Sequence, residues 1–186
     1  SMFADNGWEI PTTWDGLKTL TDDIVASGVV DKPWCAGIGS GDATGWPMTD
    51  WVEDVMLRLH GTEVFDQWVS HEIPFNDPKV AAALDEVGYF MQNDQYVNGG
   101  YGDVKSIAST TFQDGGLPIL DGFSCALHRQ AQFYGGQWGE GVTIAPDGDV
   151  WVFYLPSVDD TSKPVLTGGE FVTAYADRPE VVAVQE

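Results

Sequence analysis

Apolar positions along the chain fall into two rhythms. Trp14, Leu17, Leu20, Ile24 and Val25 recur at helical spacing, behind Thr12-Thr13-Trp14-Asp15, which has the form of a capping box. Gly28 ends that run, so a helix with one buried stripe is predicted before it. A second helix is predicted from Trp46 or Thr49 to Gly61, with Asp50, Glu53 and Asp54 in its first turn and Arg58 and His60 in its last. Those charges suit the helix dipole. Asp77-Pro78, followed by Val80, Leu84, Val87 and Met91, predicts a third helix, and residues 104–112 a weaker one.

Between these lie short apolar runs of strand length. Trp34-Cys35-Ala36-Gly37-Ile38 is bounded by Pro33 and Gly39, residues 123–127 form a second run, and residues 150–155 a third that Pro156 closes. Val165-Leu166 and residues 171–175 flank Gly168-Gly169 as two further strands or one bent one. Strands separated by helical crossovers predict an α/β fold, a mixed sheet flanked by helices. Ligands of such sheets gather beyond the strand ends, which directs attention to residues 39–45, 128–132 and 167–170.

A chain of 186 residues, 43% hydrophobic, buries one sizeable core, and residues 1–186 are taken as one domain. No apolar run reaches membrane-spanning length, and the N-terminus lacks a signal-peptide pattern. Ser1-Met2 reads instead as a tag-cleavage scar. Eight basic residues against 29 acidic ones leave a net charge of −21, the wrong sign for nucleic acid or other anions, although neutral polyols are unaffected. Cys35 and Cys125 are too far apart for a Cys-x-x-Cys motif and permit one disulfide or two buried thiols.

His60, His71 and His128 show no zinc-protease spacing, and neither a Gly-x-Ser-x-Gly elbow nor a phosphate loop occurs. No catalytic residue, metal or cofactor is therefore assigned, and Asp147-Gly148-Asp149 reads as a turn. The informative stretch is residues 40–51. Its small residues admit a ligand close to the backbone, Trp46 and Trp51 offer flat faces, and Asp42 and Asp50 accept hydroxyl protons, a mixture suited to a neutral sugar. The competing reading is a helix N-terminus with core tryptophans.

The run Gly39-Ser40-Gly41-Asp42-Ala43-Thr44-Gly45-Trp46-Pro47, with Asp50-Trp51-Val52-Glu53-Asp54, Cys125-Ala126-Leu127-His128-Arg129-Gln130 and Gly168-Gly169-Glu170-Phe171, resembles extracellular solute-binding proteins of ABC sugar importers. The α-glucoside-binding type is the nearest match. Pro11-Thr12-Thr13-Trp14-Asp15 and Asp177-Arg178-Pro179-Glu180-Val181 fit the same pattern, so the resemblance covers nearly the whole chain.

It implies a type II periplasmic-binding-protein-like fold of which this chain is the second lobe only. It further implies non-catalytic sugar capture, with Asp42, Thr44, Trp46, Asp50, Arg129, Gln130, Gly168, Gly169 and Glu170 as ligand residues. The implied partners are a neutral sugar, the missing first lobe and an ABC permease, with self-association as a further fate of the isolated lobe. The implied location is extracellular or periplasmic, as an anchored lipoprotein. A protein folding there is expected to join Cys35 to Cys125. Competing readings are an Arg129 paired with one of the acids, a plain turn at Gly168-Gly169, packing roles for Trp138 and Trp151, and a fragment of a glycoside hydrolase or lyase.

Overall fold

The computed structural model describes residues 1–98, 101–169 and 173–185. A short helix α1 (Met2–Asn6) precedes α2 (Trp14–Ser27), β1 (Lys32–Cys35), α3 (Trp46–Val69), α4 (Pro78–Met91), β2 (Cys125–His128) and α5 (Pro179–Gln185). α2 begins where Thr13 accepts from Gly16 N, one residue later than predicted, and ends at Gly28 in the left-handed conformation. Asp77 caps α4 through Lys79 N. α3 begins at Trp46, which moves Asp50 out of the first turn, and it continues beyond Gly61 as a second helical run after a non-helical φ/ψ of 76°/178° there.

β1 and β2 pair in parallel, with Trp34 opposite Leu127 and Cys35 opposite His128. On its other side Trp34 bridges Val97, also in parallel. Trp34 N donates to Tyr96 O at 2.8 Å, and Asn98 N donates to Trp34 O at 2.9 Å. β1 thus has hydrogen-bonded neighbours on both sides. The Cys35–Cys125 disulfide joins the two strands across a sequence separation of 90.

Aromatic rings fill the core. Trp34 meets Trp51 of α3 and Phe90 of α4 at centroid distances of 5.7 and 5.5 Å, and Trp14 of α2 meets Phe90 at 5.5 Å. Leu17, Ile24, Val55, Met56, Val80 and Val97 are sealed around them. Edge-to-face pairs of this kind add about 0.5–1.5 kcal/mol each beyond their area burial.

Several predicted elements differ. Residues 150–155 do not form a strand: Trp151, Val152 and Tyr154 are exposed, and only Val150 bridges, to Ile144. Residues 165–169 have no regular structure, and residues 171–172 of the last predicted strand lie outside those described. The weak helix at 104–112 is a 3-10 turn, Val104–Ala108. Leu84, placed in the buried stripe of α4, is 45% exposed, whereas Ala83 and Phe90 are buried.

The disulfide gives a direct test. In the chain-entropy account, closing a loop of this length contributes roughly 4–5 kcal/mol. Replacing Cys35 and Cys125 together by Ala is expected to lower urea-unfolding stability by that order, and the unreduced wild-type protein to show no alkylatable thiol by intact mass.

Candidate functional site at the carboxyl ends of the parallel strands

Both strands run toward one end, and the chain leaving each carries the predicted site residues. After β1 the backbone passes residues 110–112 closely: Gly39 N donates to Thr110 O at 2.8 Å and Phe112 N to Gly39 O at 2.9 Å. At Gly37 a Cβ would come within 2.3 Å of Thr111 O, so only glycine fits there. A 3-10 turn, Gly41–Ala43, follows. Its tip exposes Asp42. Thr44 is used internally, its hydroxyl accepting from Ser40 N and donating to Gly41 O. Gly45, at φ 108°, caps α3, a conformation L-residues rarely adopt.

Trp46 then opens α3 half-buried. Its ring lies 5.1 Å from Phe112 and 5.8 Å from Phe133, which is 46% exposed, and the two phenylalanines lie 6.0 Å apart. The three rings form one surface cluster assembled from α3, the segment beside Gly39 and the segment after β2. Phe112 and Phe133 are not among the sequence-predicted residues. The glycine-rich loop drew attention to Trp46, but chain distance concealed its neighbours.

Arg129 pairs with an acid, the alternative weighed from the sequence. Its side chain is 9% exposed, and Nη2 donates to Asp54 Oδ2 at 2.5 Å and to Asp50 O at 3.1 Å. The guanidinium sits 5.6 Å from the Trp51 ring. Asp54 is buried and also holds Arg58. Burial raises the Asp50 and Glu53 carboxyls above the usual carboxylate range, and the Arg129 charge opposes that rise. Gln130 turns back, its Oε1 accepting from Ala131 N at 3.0 Å. Gly168 and Gly169 are exposed, and Glu170 lies outside the described residues. The structure therefore brings Asp50 and Arg129 together beside Glu53 and gathers aromatic rings around Trp46.

On the other side of β2, the His128 ring packs against Tyr134 at a centroid distance of 4.6 Å, tilted by 50°. Its Nδ1 lies 2.9 Å from Cys35 O and must carry the proton, leaving Nε2 a bare acceptor sealed from solvent. Burial lowers the His128 pKa to about 4, against the Cys35 contact, and Arg129 lowers it further. The Tyr134 hydroxyl accepts from Gly116 N and donates to Gln113 O, and burial pushes its pKa up to about 12. Trp138 packs on Tyr134 at 5.1 Å.

The chain is 43% identical to the alpha-glucosides-binding periplasmic protein AglE of Rhizobium meliloti (strain 1021), over 99% of this chain and 40% of the relative. The chain is homologous to periplasmic solute-binding proteins. A second relative, the osmoprotective compounds-binding protein GgtB of Synechocystis sp. (strain ATCC 27184 / PCC 6803 / Kazusa), is 41% identical over 96% of the chain and 41% of its own length. The chain thus spans about two fifths of these relatives. No protein-family model matches it. The bacterial solute receptor AcbH, which prefers b-D-galactopyranose, shares the fold at a TM-score of 0.63 and 22% identity, over 85% of this chain and 36% of that one. These relatives and neighbours are binding proteins by name, and the fold is the α/β fold of periplasmic solute receptors.

His128 makes the stability pH-dependent. Its folded pKa lies below its unfolded value of about 6.5, so the folded state binds fewer protons between the two, and stability is lost as pH falls from about 6.5 to about 4. The contribution is about 3 kcal/mol. Urea unfolding of wild type and His128→Gln at pH 7 and pH 4 is expected to show a smaller acid loss in the variant.

Proposed function

We propose that this chain is one lobe of a two-lobed solute-binding protein and supplies one wall of a cleft that captures a neutral mono- or oligosaccharide of α-glucoside type without chemical change. The observation that carries the reading is the Trp46–Phe112–Phe133 cluster beside the Asp50, Glu53 and Arg129 groups, at the carboxyl ends of the parallel strands. Apolar sugar faces stack on such rings, and carboxylates take hydroxyl protons. Forty-three per cent identity to an alpha-glucosides-binding protein supports the substrate class. The partners on this reading are the first lobe, the sugar and an ABC permease, and the site of action is the periplasm or the outer membrane face, with a lipid anchor on the full-length protein.

A glycoside hydrolase needs one carboxyl free to give up a proton and another to act as base or nucleophile. Asp54 is held by two guanidinium groups. The relatives that the chain matches are binding proteins by name, which favours binding over hydrolysis. Thr44, whose hydroxyl is satisfied within its own loop, shapes the wall rather than gripping the sugar, and Gln130 keeps its amide N–H groups for a ligand.

Trp46→Ala in the full-length protein is expected to weaken α-glucoside affinity by about tenfold or more, the scale of one lost aromatic contact, while shifting the urea midpoint little. Calorimetry and urea unfolding on the same variant measure both. Unchanged affinity, or a stability loss of about 3–5 kcal/mol as for a core aromatic, would remove Trp46 from the site. The isolated chain should bind the same sugar far more weakly than the full-length protein, because one wall leaves half the hydroxyls in water.

A further inference from the structure

Phe112 and Phe133, the two rings packed around Trp46, stand on segments that share no backbone hydrogen bond among the described residues. Phe133 belongs to a 3-10 turn, Gln132–Gly136, whose backbone bonds among the described residues stay within the turn and its flanks. Gln132 and Phe133 are exposed, and Tyr134 is the turn's one buried residue. Its hydroxyl reaches the other segment. It accepts from Gly116 N at 2.8 Å and donates to Gln113 O at 2.7 Å, and Gln113 directly follows Phe112. One hydroxyl therefore ties together the chain neighbours of both phenylalanines, whose ring centroids lie 6.0 Å apart.

The surroundings are shaped for that hydroxyl. A Cβ at Gly116 would come within 2.9 Å of Tyr134 Oη and 2.8 Å of His128 Cδ2, so a side chain there displaces one or the other. His128 and Trp138 pack against the Tyr134 ring at centroid distances of 4.6 and 5.1 Å. Opening the contact strands the buried Gly116 N–H, a costly state, so the two segments are held in place. Tyr134 is buried beneath the exposed Phe133 and does not itself meet a ligand. We propose that Tyr134 is a positioning residue of the aromatic wall, its hydroxyl fixing Phe133 against Phe112 and Trp46 and so setting the ring spacing that a sugar face meets. This rests on the sugar-binding reading and adds to it a residue that acts through others.

The test uses the full-length protein and whichever of maltose, trehalose and sucrose binds the wild type. Tyr134→Phe keeps the ring and removes both bonds. Calorimetry is expected to show affinity weakened about threefold or more, within the range over which a residue acting through its neighbours shifts binding. Gly116→Ala, which crowds the hydroxyl while leaving Tyr134 in place, is expected to act in the same direction. The deciding measurement is a double-mutant cycle, in which Tyr134→Phe costs affinity when Phe133 is present and little in the Phe133→Ala background, a coupling that a general loss of stability does not produce. In the wild type, saturating sugar should slow hydrogen exchange at the Gly116 amide, because a clamp that favours the sugar is by reciprocity favoured by it. That measurement depends on no variant folding. If Tyr134→Phe binds as wild type does, costs the same with and without Phe133, or Gly116 exchange ignores the sugar, the clamp is wrong, and the sugar site still stands where Trp46→Ala and Phe133→Ala lose affinity. If neither aromatic variant changes affinity, or none of the three sugars binds the wild type, site and clamp fall together.

Discussion

Trp34 is the residue on which the remaining architecture depends. Its backbone occupies the middle of β1, opposite Leu127 on one side and Val97 on the other. Its ring packs on Trp51 and Phe90, and its indole N–H donates to the buried hydroxyl of Thr21 at 3.0 Å. One residue thereby fixes α2, α3, α4 and β2 relative to a single strand. The indole is a large apolar group with one polar atom, so it fills the centre of the core only because Thr21 supplies an acceptor there. Thr21 in turn donates to Leu17 O within α2, which keeps both hydroxyl functions satisfied.

That fixed centre is what makes a site at the strand ends feasible. Asn98, fully buried, accepts from Ala36 N through Oδ1 and donates to Ser106, so the chain leaving β1 is held on its way to the glycine loop. The sheet end is then divided between two chemistries. The α3 side is charged, with Asp54 between two arginines, and the Tyr134 side is neutral, with His128 kept uncharged by burial. Arg129 contributes to this division, because its positive charge also disfavours protonation of its chain neighbour His128.

The elements legible in the sequence are those whose signals are local. α2 and α4 carry a buried stripe between a polar cap and a stop, and both appear within a residue or two of their predicted limits. The two paired strands were legible as apolar runs, with shifted edges, because burial and strand pairing coincide there. At residues 150–155 they do not coincide. The run is as apolar as any in the chain, yet Trp151, Val152 and Tyr154 lie exposed and only Val150 bridges, so apolar character there accompanies neither burial nor pairing. For the candidate site, the glycine loop and Trp46 were readable because glycine and tryptophan clustering is itself local. Phe112, Phe133 and the Asp54–Arg58–Arg129 network were not, since each joins residues that only the folded chain brings together. Arg129 illustrates the limit: its type and its place after a strand suggested contact with a ligand, and the presence of Asp54 beneath it could not be read from either.

The parallel pairing of β1 with β2 has a kinetic side. Strands joined by a two-residue turn can zip within microseconds, but these are separated by 90 residues, so loop-closure entropy falls due before their contacts reward it. Lone helical turns of α2 and α4 can form and dissolve long before that. The sulfur link spans that same gap, and a chain still searching for its register presents two separate thiols to whatever oxidant or neighbouring chain it meets first.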